Sequence, residues 1–421
     1  MTEIKPFQAI YYNPQKVQDL SKVVCPPYDV ITKQQQNVYY NLSEHNFIRI
    51  LLGKERSIDD KTDNKYTRAK QLFDQWLKEG VLKEDESPCI YYYKQEYKLW
   101  GQRYSRLGFI SLMKIQDEKD SRIYPHENVH SSAKEDRLKL WRSLSSNCSA
   151  IFLCFSDKEK TVEKIFVKHV SLTNPFINIV DEDGVRHILW RLDDPKFINQ
   201  IVDSLERQQL FIADGHHRYE VAKEYRRARL VRSAKANGKE PYNYVMTYFT
   251  NMDSKDLKIL PLHRIVKRLT KKLDFLEEHF RIDKIRSQGD LLILLAKAGQ
   301  NEHAFGLYTK NGAQLLRLKN TSLIDKIIRE GSKEFRHLDA TILKYFIFDR
   351  LNIKSEDIIY TKDCPEAIAL VDNGQADASF IMNPVSIKQL KEIALQGERM
   401  PPKTTYFYPK VLSGLTIYKM G

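Results

Sequence analysis

Between Tyr66 and Leu82 the apolar residues Ala69, Leu72, Phe73, Trp76 and Leu77 recur every 3.6 residues, and Gly80 stands where such a helix would stop. Residues 89–115 follow another rule. They are aromatic and β-branched with a glycine near the middle, the pattern of a β-hairpin. Further on, a helix is expected over 133–145, and "FLCF", "FINIV" and "RHILWRL" read as short strands between 150 and 192. "PKFINQIVDSLERQ" (195–208) is an amphipathic helix, and "YNYVMTYFTNM" (242–252) a strand. "QLFIADGHHRYEVAKEYRRARLV" predicts a short strand, a turn at Asp214-Gly215 and a long helix. Near the N-terminus, "PFQAIYYNP" reads as a strand and the segment around Pro26-Pro27 as a loop. Beyond about residue 274 helices and strands alternate more loosely. The pattern predicts an α/β or α+β chain with mixed sheets. Residues 1–275 form the main domain, and 276–421 a C-terminal α/β region whose "MPPKTTYFYPK" segment returns to the site.

Composition narrows the class. The chain has 421 residues, 42% hydrophobic and 29% charged, as in a water-soluble globular protein. No apolar run reaches the roughly 18 residues of a membrane span, and the N-terminus lacks the apolar region of a signal peptide. A cytoplasmic protein with no membrane partner is expected. The five cysteines are odd in number and include no C-x-x-C pair, so buried free thiols are expected. The net charge of +13, partly in 222–240 and 263–272, fits anionic partners: a nucleotide, a phosphorylated metabolite or nucleic acid. A solvated helix face would carry such charge equally well.

Several short motifs carry chemistry. His126-Glu127-Asn128-Val129-His130 matches the H-E-x-x-H pattern of zinc peptidases, in which two histidines one helical turn apart hold the metal. Its context is poor: Pro125 precedes it, two serines follow, and no third ligand stands out nearby. "ADGHHRYE" (213–220) is sharper. A strand running through Asp214-Gly215 into a helix points backbone N–H groups at the helix start, where an anion is stabilised. Gly215 would let a phosphate approach the backbone. Arg218 could clamp its oxygens, and His216 and His217 could donate to it or carry protons. Asp214 could instead simply cap the helix, but capping does not account for cationic groups placed against the helix dipole. His263-Arg264 repeats the pairing, with a core histidine and a surface arginine as the plainer alternative. Lys403, after Pro401-Pro402, could act as a point charge on a phosphate. The rigid Pro26-Pro27 loop presents Tyr28 and Asp29, as functional loops do.

In order, "SKVVCPPYDVI", "HE", "KEDRLKL", "ADGHHRYE", "LPLHR" and "MPPKTTYFYPKVLSGL" resemble the bacterial and archaeal family known as domain of unknown function 1015, over nearly the whole chain. One departure is Val129, where the family commonly has a threonine; His130 is not part of the family pattern. More distantly, "LFIADGHHRYEVAKE" is similar to the phosphate-binding turn of the ParB/sulfiredoxin-like superfamily, which includes a free serine kinase. That resemblance implies that Gly215, His216, His217 and Arg218 bind phosphate, and that serine or phosphoserine is a substrate candidate. ATP or ADP is the implied cofactor, with Mg2+ as an option through Asp29, Glu127 or Asp214.

The leading expectation is a small-molecule phosphoryl-transfer enzyme, of kinase or phosphatase type. Gly215, His216, Arg218, Arg264 and Lys403 would hold phosphate. His126, Glu127, Asp214, His217 and His263 would be catalytic, and Tyr28 and Asp29 would meet substrate, all converging on one cleft. A non-catalytic nucleotide-binding regulator of ParB type is the alternative, with nucleic acid not expected as partner because no helix-turn-helix stands out in 280–421. A zinc hydrolase through HENVH is the third reading, and zinc is not expected. The direction of transfer and the oligomeric state are not legible in the chain.

Overall fold

The computed structural model describes residues 1–420 except Glu118, Asp120, His130, Ser171, Leu172 and residues 233–235; the side chains of 131–133 are likewise outside the description. The fold is mixed α/β. It divides into two compact units. The first comprises Met1–Pro125, Val129–Leu257 and Pro409–Gly421, and the second His126–Asn128 and Lys258–Tyr408.

In the first unit nine described strands form one mixed sheet. Its backbone is the expected hairpin, Ile90–Leu99 with Gln102–Lys114, turning at Trp100-Gly101, where both φ angles are positive (50° and 76°). Turns of that hand match the right-handed twist of the strands. Tyr244–Asn251 pairs antiparallel with Gln102–Lys114 and parallel with Ile151–Phe155. Leu210–Asp214 then pairs antiparallel with Ile151–Phe155, and the register shifts between Ile212 and Asp214. Such a bulge re-aims the last side chain of a strand, and that side chain is Asp214. A helix, Lys65–Lys78, buries Ala69, Phe73 and Trp76 against Phe47, Ile48, Leu51 and Ile417. Each large side chain so buried contributes on the order of 1.5–3 kcal/mol. Asn64 and Thr67 form its capping box, and Gly80, at φ +70°, terminates it in the left-handed conformation that glycine adopts at little cost.

In the second unit six strands form an antiparallel sheet in the order Phe280–Ile285, Gly312–Leu318, Ala304–Thr309, Ala378–Ile381, His263–Val266, Ile358–Thr361. The period of two sends neighbours to opposite faces. Val266 joins a core with Phe280, Phe305 and Phe380, while Ile265 packs with Leu291, Ala367 and Ile381. Lys258–Leu260 and Tyr406–Tyr408 pair as a separate antiparallel ribbon. All five cysteines are buried free thiols. No helix among the described residues is long and apolar enough to cross a membrane.

Candidate functional site

The turn at Asp214-Gly215 is built by the sheet. Leu210–Asp214 ends on its bulge, Gly215 takes φ +89° as N-cap, and the helix His216–Val231 begins. Gly215 has no side chain to cap that helix. A Cβ at this position would lie 2.9 Å from Arg218 Cζ and Nε, because the arginine folds back over the glycine. Asp214 does not act as the N-cap. Its Oδ2 accepts from Arg218 Nη2 at 2.6 Å and its Oδ1 from Lys410 Nζ at 3.0 Å. Burial alone would raise the Asp214 pKa, but Lys410 and Arg218 outweigh it and hold the carboxyl well below the usual range. The same partnership raises Arg218 against the opposing effect of burial.

Arg218 is buried and committed. Beyond Asp214, its Nη1 donates to the Ala150 carbonyl, and its Nε has no hydrogen-bond partner among the described residues. Tyr28 and Asp29 both act electrostatically on its guanidinium. Asp29 is exposed and Tyr28 half-buried. Arg137 lies over the Tyr28 ring, 4.3 Å from its centroid, and is held by Asp136 and by the Leu51 carbonyl. The loop with Tyr28-Asp29 therefore meets the Asp136-Arg137 pair and lies within electrostatic reach of Arg218, all in the first unit. His216 is buried and His217 half-buried on the first helical turn.

Lys410 is the residue that sequence reasoning passed over, although it ends the "MPPKTTYFYPK" stretch. Its position is fixed by a buried cross-strand pair. Gln95 and Arg106 face each other in the hairpin. Gln95 Nε2 donates to the Lys410 carbonyl at 2.8 Å, and Arg106 Nη2 to the Pro409 carbonyl at 2.5 Å. Arg106 is fully buried, with its guanidinium 4.7 Å from the Phe152 ring centroid. Two main-chain carbonyls anchored this way deliver the Lys410 ammonium to Asp214.

His126 and Glu127 belong to the second unit, where they meet Thr405. His126 is fully buried; its Nε2 lies 2.9 Å from Thr405 Oγ1, whose hydroxyl reaches Glu127 Oε1 at 3.5 Å. The His126 carbonyl accepts from Met400 N–H. Thr405, like Lys410, lies in the MPPKTTYFYPK segment and carries no sequence signal of its role. Lys403, the phosphate candidate of that segment, is exposed at φ +56°. His263 is buried, and its Nδ1 accepts from the Met382 N–H at 3.1 Å. Burial, aided by Arg264, pulls its pKa down to about 4. Arg264, on the opposite face, is buried too and donates from Nη1 to the Leu262 carbonyl at 3.1 Å. Burial lowers its pKa to about 10. His130, the second histidine of the zinc-like pattern, lies outside the described residues. Among those described, no group of three or more His, Cys, Asp or Glu could hold a metal ion. Of the basic helix after the turn, Lys223 pairs with Glu220 and Arg226 with Asp117, so part of its charge is matched internally.

The family described as protein of unknown function (DUF1015) matches residues 4–341. The chain belongs to this family. No curated protein matches it. Among solved structures, a conserved hypothetical protein from Pyrococcus furiosus is 14% identical, with 69% of this chain and 89% of that one covered, at a TM-score of 0.34. A free serine kinase in complex with AMP is 15% identical (68% and 83% covered, TM-score 0.33). SbnI from Staphylococcus aureus, truncated at its C-terminus, is 11% identical (72% and 85% covered, TM-score 0.35). Similarity at this level carries no activity over to this DUF1015 member.

Proposed function

We propose that the first unit binds the phosphate of a nucleotide or phosphorylated small molecule at the Asp214–Arg218 turn, and that the chain transfers a phosphoryl group on a small hydroxy metabolite, serine or phosphoserine being the first to try. One observation carries this reading: two cations, Lys410 and Arg218, share the single carboxylate of Asp214 at the start of a helix with no capping side chain. Cations gathered at the positive end of a helix dipole stabilise an anion placed there.

The roles follow from the contacts. Lys410 is the point charge toward phosphate. Arg218 braces the turn through Asp214 and the Ala150 carbonyl. Asp214, kept ionised, is a poor proton acceptor and serves to orient the two cations. His217, half-buried on the first turn, is the proton carrier of this unit. In the second unit, His126, Thr405 and Glu127 form a hydrogen-bonded chain suited to moving a proton. Asp214 does not fit as a ligand for Mg2+: both its oxygens face cations, whose charge opposes a metal ion there. Phosphoryl transfer rests on positioning and positive charge, and this turn offers both.

Phosphorus NMR of the full chain with serine plus ATP or ADP, and separately with phosphoserine, tests the reading. New phosphoserine, or its loss to phosphate or nucleotide, is the expected outcome. No turnover in either mixture, together with no nucleotide binding, would overturn it.

A further inference from the structure

The second unit holds a buried arginine with no carboxylate partner among the described residues. Arg264 is 5% exposed. A guanidinium has five N–H donors, and within hydrogen-bond distance Arg264 meets one acceptor, the Leu262 carbonyl. Among the described residues it forms no ion pair. The acidic group that acts on it, Asp339, does so from beyond ion-pair distance and keeps its own Oδ1 2.7 Å from His303 Nδ1. A largely buried cation without a carboxylate partner is costly to fold around, and its remaining donors can serve a ligand.

Its surroundings show what kind. Arg264 and Tyr360 are direct cross-strand partners, with the guanidinium 5.9 Å from the Tyr360 ring centroid. Residues opposite one another share a face, and Lys362, two residues past Tyr360, continues that side just beyond the strand end. Lys362 also forms no ion pair among the described residues; its ammonium stands 5.3 and 4.9 Å from the ring centroids of Tyr406 and Tyr408. The neighbouring carboxylate of Asp363 caps the helix Cys364–Asp372 instead. Two cations without carboxylate partners thus stand among three tyrosine rings.

We propose that Arg264, with Lys362, forms an oxyanion site in the second unit that takes the carboxylate or phosphate of a small molecule between the rings of Tyr360, Tyr406 and Tyr408. The planar fork of the arginine suits either group, which accepts two parallel N–H bonds. This site stands independently of the phosphate site at Asp214.

Line broadening measures it on the full chain: phosphorus resonances of inorganic phosphate in one titration, carbon resonances of labelled acetate in the other. A Lys410→Ala background takes away the lysine of the first unit's site. There, Arg264→Met and Lys362→Ala are each expected to weaken binding roughly tenfold or more, the loss of a charge-assisted contact. Broadening of acetate alone assigns a carboxylate, and of phosphate alone a phosphoryl group. Neither anion binding, or undiminished binding in both variants, overturns the proposal. Should Arg264→Met fail to fold, an unchanged affinity in Lys362→Ala overturns it.

Discussion

Arg218 and Arg264 each follow a histidine in sequence, and each is buried, yet their charges are handled in opposite ways. Arg218 is matched inside the protein by a carboxylate at 2.6 Å and a main-chain carbonyl. Among the described residues Arg264 has one carbonyl and no carboxylate. The comparison separates two jobs that a His-Arg dipeptide cannot distinguish. A paired arginine shapes the backbone around it, and the ligand is left to its neighbours. An unpaired one is available to a ligand itself.

The largest expected effect tests that difference directly. Asp214→Asn leaves Lys410 and Arg218 without their counter-charge, and breaking a buried pair from one side costs about 3–5 kcal/mol. Arg264→Met abandons no carboxylate and should stay within about 1 kcal/mol of the parent. Denaturant unfolding of the two variants checks both; similar losses would erase the contrast. Next in size is a pH effect in the second unit. His263 has its folded pKa near 4, below the unfolded value near 6.5. The unfolded chain therefore binds the extra proton first, and stability falls as pH drops from about 6.5 to 4, by about 3 kcal/mol at most. His263→Gln keeps an acceptor for the Met382 N–H and should flatten that part of the stability profile. An unchanged slope would mean that His263 is not held neutral. Smaller again is Gly215→Ala. A left-handed alanine costs about 1–2 kcal/mol, and its Cβ would push against the Arg218 guanidinium. Thermal unfolding should show the loss, whereas an alanine at no cost would mean that the turn relaxes freely.

Local structure was legible in the chain wherever periodicity is strong. The helix over Lys65–Lys78, the hairpin around Trp100-Gly101 and the strand-turn-helix at Asp214 form where their patterns place them. What the pattern could not carry was pairing over long sequence separations. Asp214 reads as a catalytic group or a cap because a sequence shows only its local neighbours, but Lys410, 196 residues away, claims its carboxylate. Lys403 and Lys410 stand seven residues apart in one motif. Only the docking of the Pro409 and Lys410 carbonyls on Arg106 and Gln95 selects the second as the partner of the turn. Thr405 was equally silent, since a threonine in a loop carries no mark of the histidine it will meet.

The central claim is that Lys410 and the Asp214 turn together hold a phosphate. Calorimetric titration of ATP and ADP into the full chain and its Lys410→Ala variant tests it most directly. The account predicts that the parent binds a nucleotide and that the variant binds it roughly tenfold or more weakly while remaining folded. A parent that binds neither nucleotide, or a variant that binds as well as the parent, would contradict it.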